Sequence, residues 1–303
     1  KRSGAQIQTN EKADRSDTWS TIISVGFPPQ SVAVTFDTSS ADVIVDSSYD
    51  PDKSITSRQL DGPKPVDVDD LSFGPFDLKK VAVSSSSHNS ARIGLAFPSI
   101  SSASSANSFT NVLSSHLDQN VYQFTLGDKH GSLNVGTIDR SLFFGNISWN
   151  AVNPAQGYWT TPFTWNGLSF HGTVDSTASV ILGNVADVKR VLMSMEGVRV
   201  TKSVDGSYIG LFDCDKVPSS DFVIGGVPLK FSASLKHGTM CKIPVVGIDG
   251  LNHWILGEPI FKLTSIILDF ENHRIGFAQR RTHFQKSTRP RSVNTYRSWR
   301  QTK

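Results

Sequence analysis

An all-β fold is predicted by three features of the sequence. Hydrophobic residues recur at every second position, the alternating runs are short, and Gly, Asp and Asn separate them. Of the 303 residues, 38% are hydrophobic and 19% are charged, which is typical of a soluble globular protein of about two domains. No apolar run approaches the roughly 18 residues of a membrane-spanning helix, so no transmembrane segment is predicted.

The individual elements follow from the periodicity along the chain. Val32, Val34 and Phe36 alternate with small polar residues and predict a strand. Strands are also predicted at 43–45, 122–126, 133–135, 222–224, 266–270 and 274–277. Helical periodicity predicts helices at 108–118 and 184–196, with Asn184 as the N-cap of the second. Residues 51–70, rich in Pro and Asp, are predicted to be an open loop rather than a strand pair.

Charge is distributed unevenly along the chain. The formal net charge is +3, but seven Lys and Arg residues and no Asp or Glu lie between 281 and 303, which leaves −4 for the rest. A nucleic-acid-binding core is therefore not expected, because no basic surface remains to contact phosphates. The basic tail is predicted to be disordered, and binding of polyanions by the tail stays open. The start at Lys1-Arg2 predicts a processed chain, with residues 3–16 polar and loose.

Metal and nucleotide chemistry lack sequence support. The two cysteines are too few for a Cys-only zinc site, and the eight histidines are scattered without an H-E-x-x-H helix. The glycine-rich phosphate loops and the G-x-S-x-G nucleophile turn are also missing. We therefore expect no metal and no cofactor.

One pattern occurs twice at a separation of 138 residues. Asp37 is followed by Thr38, Ser39 and Ser40 at the end of an alternating strand, and a second apolar run comes next. Asp175 is followed by Ser176, Thr177 and Ala178 in the same context. Asp followed by hydroxyl residues also arises by chance, as at Asp46. The repetition in matched context is what indicates a paired carboxylate site.

The chain resembles the pepsin-like aspartic peptidases of family A1, in particular the secreted fungal members. The resemblance runs from about residue 18 to 279. Its motifs are I-G-L-A-F-P-S-I at 93–100, G-Y-W at 157–159, W-I-L-G-E at 254–258, I-L-D-F at 267–270 and I-G-F-A at 275–278. It implies two β-rich lobes, each contributing one Asp loop to the cleft between them. The expected division is a polar extension at 1–16, an N-terminal lobe at 17–152, a C-terminal lobe at 153–280 and the basic tail at 281–303.

The resemblance also implies the chemistry. Asp37 and Asp175 would share one proton and activate a water that attacks a peptide bond at acidic pH, without a cofactor. The hydroxyls of Thr38 and Ser176 would reach across to the opposite loop, and Ser40 would bind the outer oxygen of Asp37. A disulfide between Cys214 and Cys241 is implied in the same way, as are secretion, a peptide or protein substrate and a monomer. Asn146-Ile147-Ser148 forms an N-glycosylation triplet in a turn before a predicted strand, which predicts glycosylation at Asn146.

Several positions depart from the family pattern. Ser39 and Thr177 replace the glycine of each Asp loop, where a side chain adds volume and is expected to displace the water and alter the pKa values of the pair. Ala178 lacks the hydroxyl expected to support Asp175. No Tyr lies between residues 49 and 122, so the tyrosine of the family's flap hairpin is absent. Arg92 occupies an apolar position behind the first loop and needs a partner or solvent.

Two functions therefore stay open. The first is a secreted endopeptidase that uses both Asp residues. The second is a catalytically impaired homologue that binds a peptide, an inhibitor or a carbohydrate.

Overall fold

The computed structural model describes residues 5–10, 19–61, 65–86, 91–127, 130–231, 235–237 and 239–281. About half of these residues lie in β-strands and far fewer lie in α-helices, so the all-β prediction is confirmed. In the first half the described strands are β1 (Ala5–Asn10), β2 (Ser20–Val25), β3 (Gln30–Asp37), β4 (Val43–Val45), β5 (Arg58–Leu60), β6 (Val66–Phe73), β7 (Phe76–Ser85), β8 (Arg92–Gly94), β9 (Val121–Leu126), β10 (His130–Val135) and β11 (Phe143–Ala151).

The described strands of the second half are β12 (Thr160–Trp165), β13 (Leu168–Val174), β14 (Ile181–Asn184), β15 (Arg199–Lys202), β16 (Tyr208–Phe212), β17 (Phe222–Ile224), β18 (Val227–Leu229), β19 (Leu235–His237), β20 (Met240–Ile248), β21 (Trp254–Leu256), β22 (Thr264–Asp269) and β23 (Arg274–Arg280). The helices in the same ranges are α1 (Phe109–Ser114), α2 (Val185–Met193) and α3 (Glu258–Leu263). Short 3₁₀ turns lie at Pro51–Lys53, Pro98–Ile100, Arg140–Leu142 and Pro154–Gln156.

The described strands form two sheets. The first runs in the order β11-β23-β22-β9-β10-β1-β2-β3-β8-β4-β7-β6-β5, and the second in the order β15-β16-β20-β14-β21-β13-β12-β17-β18, with β19 paired to β20. Strands β22 and β23 come late in the sequence but pair with β9 and β11 of the first sheet. The division of the chain at residue 152 stays a prediction, since the first sheet contains strands from both sides of it.

Each half repeats the same three-strand arrangement. In the first half β3 runs parallel to β8, which pairs antiparallel with β4. In the second half β13 runs parallel to β21, which pairs antiparallel with β14. Asp37 ends β3 and Asp175 follows β13 directly, so the two acidic residues occupy equivalent places in the two halves.

Buried aromatic residues connect the two halves. The Trp159 ring lies 4.2 Å from the ring of Phe97 and 4.8 Å from that of Phe270, measured between centroids. Its indole N–H donates a 2.7 Å hydrogen bond to the carbonyl of Leu95. Gly157, two residues earlier, has φ +82°, and a Cβ there would lie 2.1 Å from a methyl carbon of Ile100. Glycine is therefore required where the chain enters the second half.

The helix predictions are confirmed in part. Helix α2 begins after Asn184, whose side chain accepts a hydrogen bond from the N–H of Asp187, as an N-cap does. Helix α1 lies inside the predicted range but is shorter, ending at Ser114. Helix α3 was not predicted, because its six residues are too few to show a helical period and include a proline.

Two predictions of irregular structure are wrong. Residues 51–70 contain the antiparallel pair β5–β6, with Arg58 opposite Val68, instead of an open loop. Residues 5–10 form strand β1, which pairs along its length with β10, instead of a loose extension. In both cases the sequence of the segment shows no clear hydrophobic period. Hydrogen bonding of its backbone to a neighbouring strand is what orders it. Apart from Arg281, the predicted basic tail lies outside the described residues.

The predicted disulfide is confirmed. Cys214, just beyond β16, is bonded to Cys241 in β20, at a sequence separation of 27. The bond ties the connection that contains β17, β18 and β19 to the sheet. None of the helices in the described ranges is long and apolar enough to cross a membrane.

Removing this disulfide is expected to destabilise the fold. The double variant Cys214→Ala/Cys241→Ala should lose about 3–4 kcal/mol of unfolding free energy, because the unfolded chain regains the freedom of a loop of this length. Denaturant unfolding monitored by circular dichroism measures the loss. Reduction should destabilise the wild type but not the double variant, and an unchanged midpoint in the variant would contradict the prediction.

Candidate active site

Each Asp loop is hydrogen-bonded to backbone at the end of the strand that runs parallel to its own, β8 for the first loop and β21 for the second. The Asp37 carbonyl accepts a 2.7 Å hydrogen bond from the N–H of Leu95, which follows β8. The Asp175 N–H donates a 3.0 Å bond to the carbonyl of Leu256, the last residue of β21. Backbone hydrogen bonds thus hold each turn in place independently of the side chains.

Two glycines make this close approach sterically feasible. A Cβ on Gly94 would lie 2.4 Å from the backbone oxygen of Ser40, and one on Gly257 would lie 2.3 Å from that of Ala178. Real Cβ atoms do not approach backbone atoms so closely. These glycines therefore allow the backbone to pack directly against each Asp loop.

The side chains of Thr38 and Ser176 hydrogen-bond across the boundary between the halves. The Thr38 hydroxyl accepts a 3.0 Å bond from the Ser176 N–H and donates a 2.7 Å bond to the Val174 carbonyl. The Ser176 hydroxyl accepts a 3.1 Å bond from the Thr38 N–H and donates to the Phe36 carbonyl. These bonds are buried and nearly symmetric, and they join the loop that carries Asp37 to the loop that carries Asp175.

Ser39 and Thr177, which stand where the family pattern has glycine, hydrogen-bond to the two carboxylates. The N–H and the hydroxyl of Ser39 both donate to Oδ1 of Asp37, at 2.8 and 2.6 Å. The N–H and the hydroxyl of Thr177 donate to Oδ1 of Asp175 in the same way, at 2.8 and 2.7 Å. The two carboxylates therefore have matching donors on one oxygen.

These contacts correct two sequence-based expectations. Among the described residues no hydrogen bond joins Ser40 to Asp37: the Ser40 hydroxyl accepts a 3.3 Å bond from the N–H of Asp42, and the hydroxyl that donates to Asp37 is that of Ser39. The absence of a hydroxyl at Ala178 does not deprive Asp175 of support, because Thr177 provides one. In both loops the donor lies one residue earlier than expected, since a side chain stands where the family has glycine.

The environment of Asp37 favours its protonated form. Burial raises the pKa of this carboxyl, and the hydrogen bonds from Ser39 partly oppose the rise. The charge of Asp175 raises the pKa further, while the guanidinium of Arg92 lowers it. The partner that Arg92 requires is thus Asp37 itself, with Nε 3.5 Å from Oδ2.

A cavity of about 780 Å³ opens beside the two loops. It is lined by Ser39 and Asp175 and by residues of the second half, among them Tyr158, Phe170, His171 and His253. The motifs of the sequence do not predict that these aromatic and histidine residues lie at the site. The available signal was alternation along β13, which places His171, Thr173 and Asp175 on one face of the strand.

Comparison with known proteins gives this arrangement its family. The eukaryotic aspartyl protease family matches residues 64–280. The chain belongs to this family. Secreted aspartyl protease 1 of Malassezia globosa is 30% identical, over 84% of this chain and 72% of the relative.

Other relatives in the family differ in the state that their names indicate. A probable inactive secreted aspartyl protease of Malassezia globosa is 28% identical, over 54% of this chain and 45% of its own length. Chymosin of Camelus dromedarius is 27% identical, over 85% of this chain and 79% of its own length. The relatives of this chain thus include a protein named as a secreted aspartyl protease and another named as a probable inactive one.

Asn146 is exposed, as an acceptor for glycosylation must be. It lies within β11, at an irregularity in the pairing with β23 between Phe144 and Ser148, and not in a turn before the strand. The predicted glycosylation stays a prediction.

Loss of the Thr38 hydroxyl is expected to weaken the contact between the halves. In Thr38→Val the Ser176 N–H and the Val174 carbonyl lose a buried partner, which should cost about 1–3 kcal/mol of unfolding free energy. Chemical denaturation measures the cost. Ser40→Ala, in the same loop but outside the crossing bonds, is the control and should stay within about 0.5 kcal/mol of the wild type. Equal losses in the two variants would contradict the assigned role.

Loss of the Ser39 hydroxyl is expected to raise the pKa of Asp37. Ser39→Ala removes a donor that stabilises the ionised carboxylate and leaves the backbone N–H in place. Carboxyl ¹³C NMR of the folded protein, with the Asp37 signal assigned from Asp37→Asn, follows the titration. Ser40→Ala should titrate like the wild type, and an unshifted Asp37 in Ser39→Ala would refute the assignment.

Proposed function

We propose that this chain is an aspartic endopeptidase in which Asp37 and Asp175 activate a water molecule for attack on a peptide bond. Two neighbouring carboxyl groups ionise one after the other, so over an acidic pH range one is protonated and the other is charged. The charged group takes a proton from the water, and the protonated group donates to the oxygen of the peptide carbonyl. No covalent intermediate is needed.

The observation that carries this proposal is the set of crossing hydrogen bonds between Thr38 and Ser176. It supports a fixed pairing of Asp37 with Asp175, because each hydroxyl is anchored to the carbonyl that precedes the opposite Asp. The electrostatic effect of Asp175 on Asp37 is further support. Fixed geometry of the reacting groups is what lowers the barrier of such a reaction.

The cavity supports a peptide as the substrate. Its volume of about 780 Å³ accommodates several residues, and its wall combines aromatic rings with polar groups. We place the protein outside the cell, in keeping with the disulfide and with the name of the secreted Malassezia relative.

A second function is favoured by the same positions that depart from the family. The hydroxyls of Ser39 and Thr177 occupy space directly beside the carboxylates, and Arg92 forms an ion pair with Asp37. A relative from Malassezia globosa is named a probable inactive secreted aspartyl protease, which supports this alternative. In this alternative the cleft binds peptide without cleaving it.

Turnover of a generic protein substrate at acidic pH separates the two functions. The folded chain should cleave the substrate at about pH 3–5, and Asp37→Asn should lower kcat by about 10²–10⁴, as expected for loss of a general acid or base. A statine-type transition-state mimic should bind the wild type and lose affinity for the variant. Peptide products measured by mass spectrometry identify the cleaved bonds.

Asp46→Asn is a matched control, because Asp46 has the same local hydrogen bonds, from the N–H and the hydroxyl of Ser48. It lies outside the site and should retain full turnover. Absence of cleavage in folded wild-type protein, with peptide binding retained, would replace the enzyme by the binding protein.

A further inference from the structure

Arg92 lies on the same face of the sheet as Asp37. It is the first residue of β8 and pairs in parallel register with Thr35 of β3. Paired residues of parallel strands project to the same face, and so do residues two apart in one strand. Arg92, Thr35 and Asp37 therefore share a face, which brings the guanidinium to the carboxylate.

The contact is an ion pair in a partly buried position. Nε of Arg92 lies 3.5 Å from Oδ2 of Asp37, and the side chains are 30% and 7% exposed. Within the described part of the chain this buried Nε has no hydrogen-bond acceptor. The distance exceeds the usual hydrogen-bond length of about 2.7–3.2 Å, so the contact acts mainly through charge. Solvent screens it only in part, since Asp37 is almost fully buried.

Asp37 and Asp175 have matching hydrogen-bond donors on Oδ1, and the Arg92 charge near Oδ2 distinguishes the surroundings of Asp37. On Oδ1 both carboxylates accept an N–H and a hydroxyl from the residue two positions later. The charged groups that act on Asp37 are Arg92 from β8 and Asp175 from the opposite loop. An arginine keeps its charge at every pH at which carboxyl groups titrate. Its influence on Asp37 is therefore constant through the working range.

We propose that Arg92 is a positioning residue of the carboxylate pair, which stabilises ionised Asp37 and moves the pH range of the singly protonated pair downwards. The proposal rests on the proposed function for its meaning in catalysis. It assigns a role to a cation in a position where the family pattern has an apolar residue. Arg92 holds the Asp37 carboxylate without reacting itself.

The expected direction follows from the charge. A fixed positive charge favours loss of both protons from the pair, so it lowers the pH of the first and of the second ionisation. Removing the charge should raise both. The active range between the two ionisations should then move to higher pH as a whole, with little change in width.

The test compares Arg92→Met and Arg92→Gln, which remove the charge, with Arg92→Lys, which keeps it. Titration of Asp37 is followed by carboxyl ¹³C NMR, together with the pH profile of kcat for the full chain. Both neutral variants should shift the titration and both limbs of the profile upwards by about 0.5–1 pH unit. On the alkaline limb the rate at fixed pH should then be about three- to tenfold above the wild type.

Two comparisons make the test specific. Arg92→Lys should restore most of the wild-type titration, and Arg199→Met, which removes an exposed charge from β15, should not shift it. An unshifted titration in the neutral variants would overturn the proposal, as would an equal shift in Arg92→Lys. If the wild type shows no turnover, the proposed function fails, whereas the NMR titration still decides the role of Arg92.

Discussion

The geometry of the site depends on the exchange of hydrogen bonds between Thr38 and Ser176. Each hydroxyl both accepts from the opposite backbone and donates to it, so neither loop can shift without breaking buried bonds on both sides. Unpaired buried polar groups are costly, which makes this arrangement close to all-or-none. The two carboxyl groups inherit their relative position from it. Gly94 and Gly257 support the same position, because only glycine lets the backbone at these two points approach each Asp loop so closely.

The sequence predicted the repeated Asp loops because repetition in matched context is visible in the residues. Local chemistry alone would not have sufficed. Asp46, Asp139 and Asp205 accept the same two hydrogen bonds, from the N–H and the hydroxyl of the serine two positions later, and they lie away from the site. What distinguishes Asp37 is burial and an acidic neighbour 138 residues away. The local turn sequence does not predict which residues from distant parts of the chain lie near an Asp. The family pattern does predict it, because it includes both loops.

The same reasoning explains the errors at Ser40 and Ala178. The family pattern assigns a hydroxyl to the fourth position of each loop and implies that a side chain at the third position is harmful. In the structure the third residue supplies the hydroxyl, because the turn already directs its N–H at the carboxylate and a short side chain follows the same direction. The partner of Arg92 was equally hidden, since parallel pairing of β3 with β8 joins residues distant in sequence.

The pairing of β22 with β9 has a consequence for biosynthesis. The first half of the chain leaves the ribosome before residues 264–280 do. These later residues nevertheless supply two strands of the first sheet. Until then β9 has only β10 beside it and β11 has no neighbouring strand of this sheet, so both expose open backbone edges to other chains. The first sheet is thus completed only after residues 264–280 have been synthesised, and contacts of such long sequence separation form slowly.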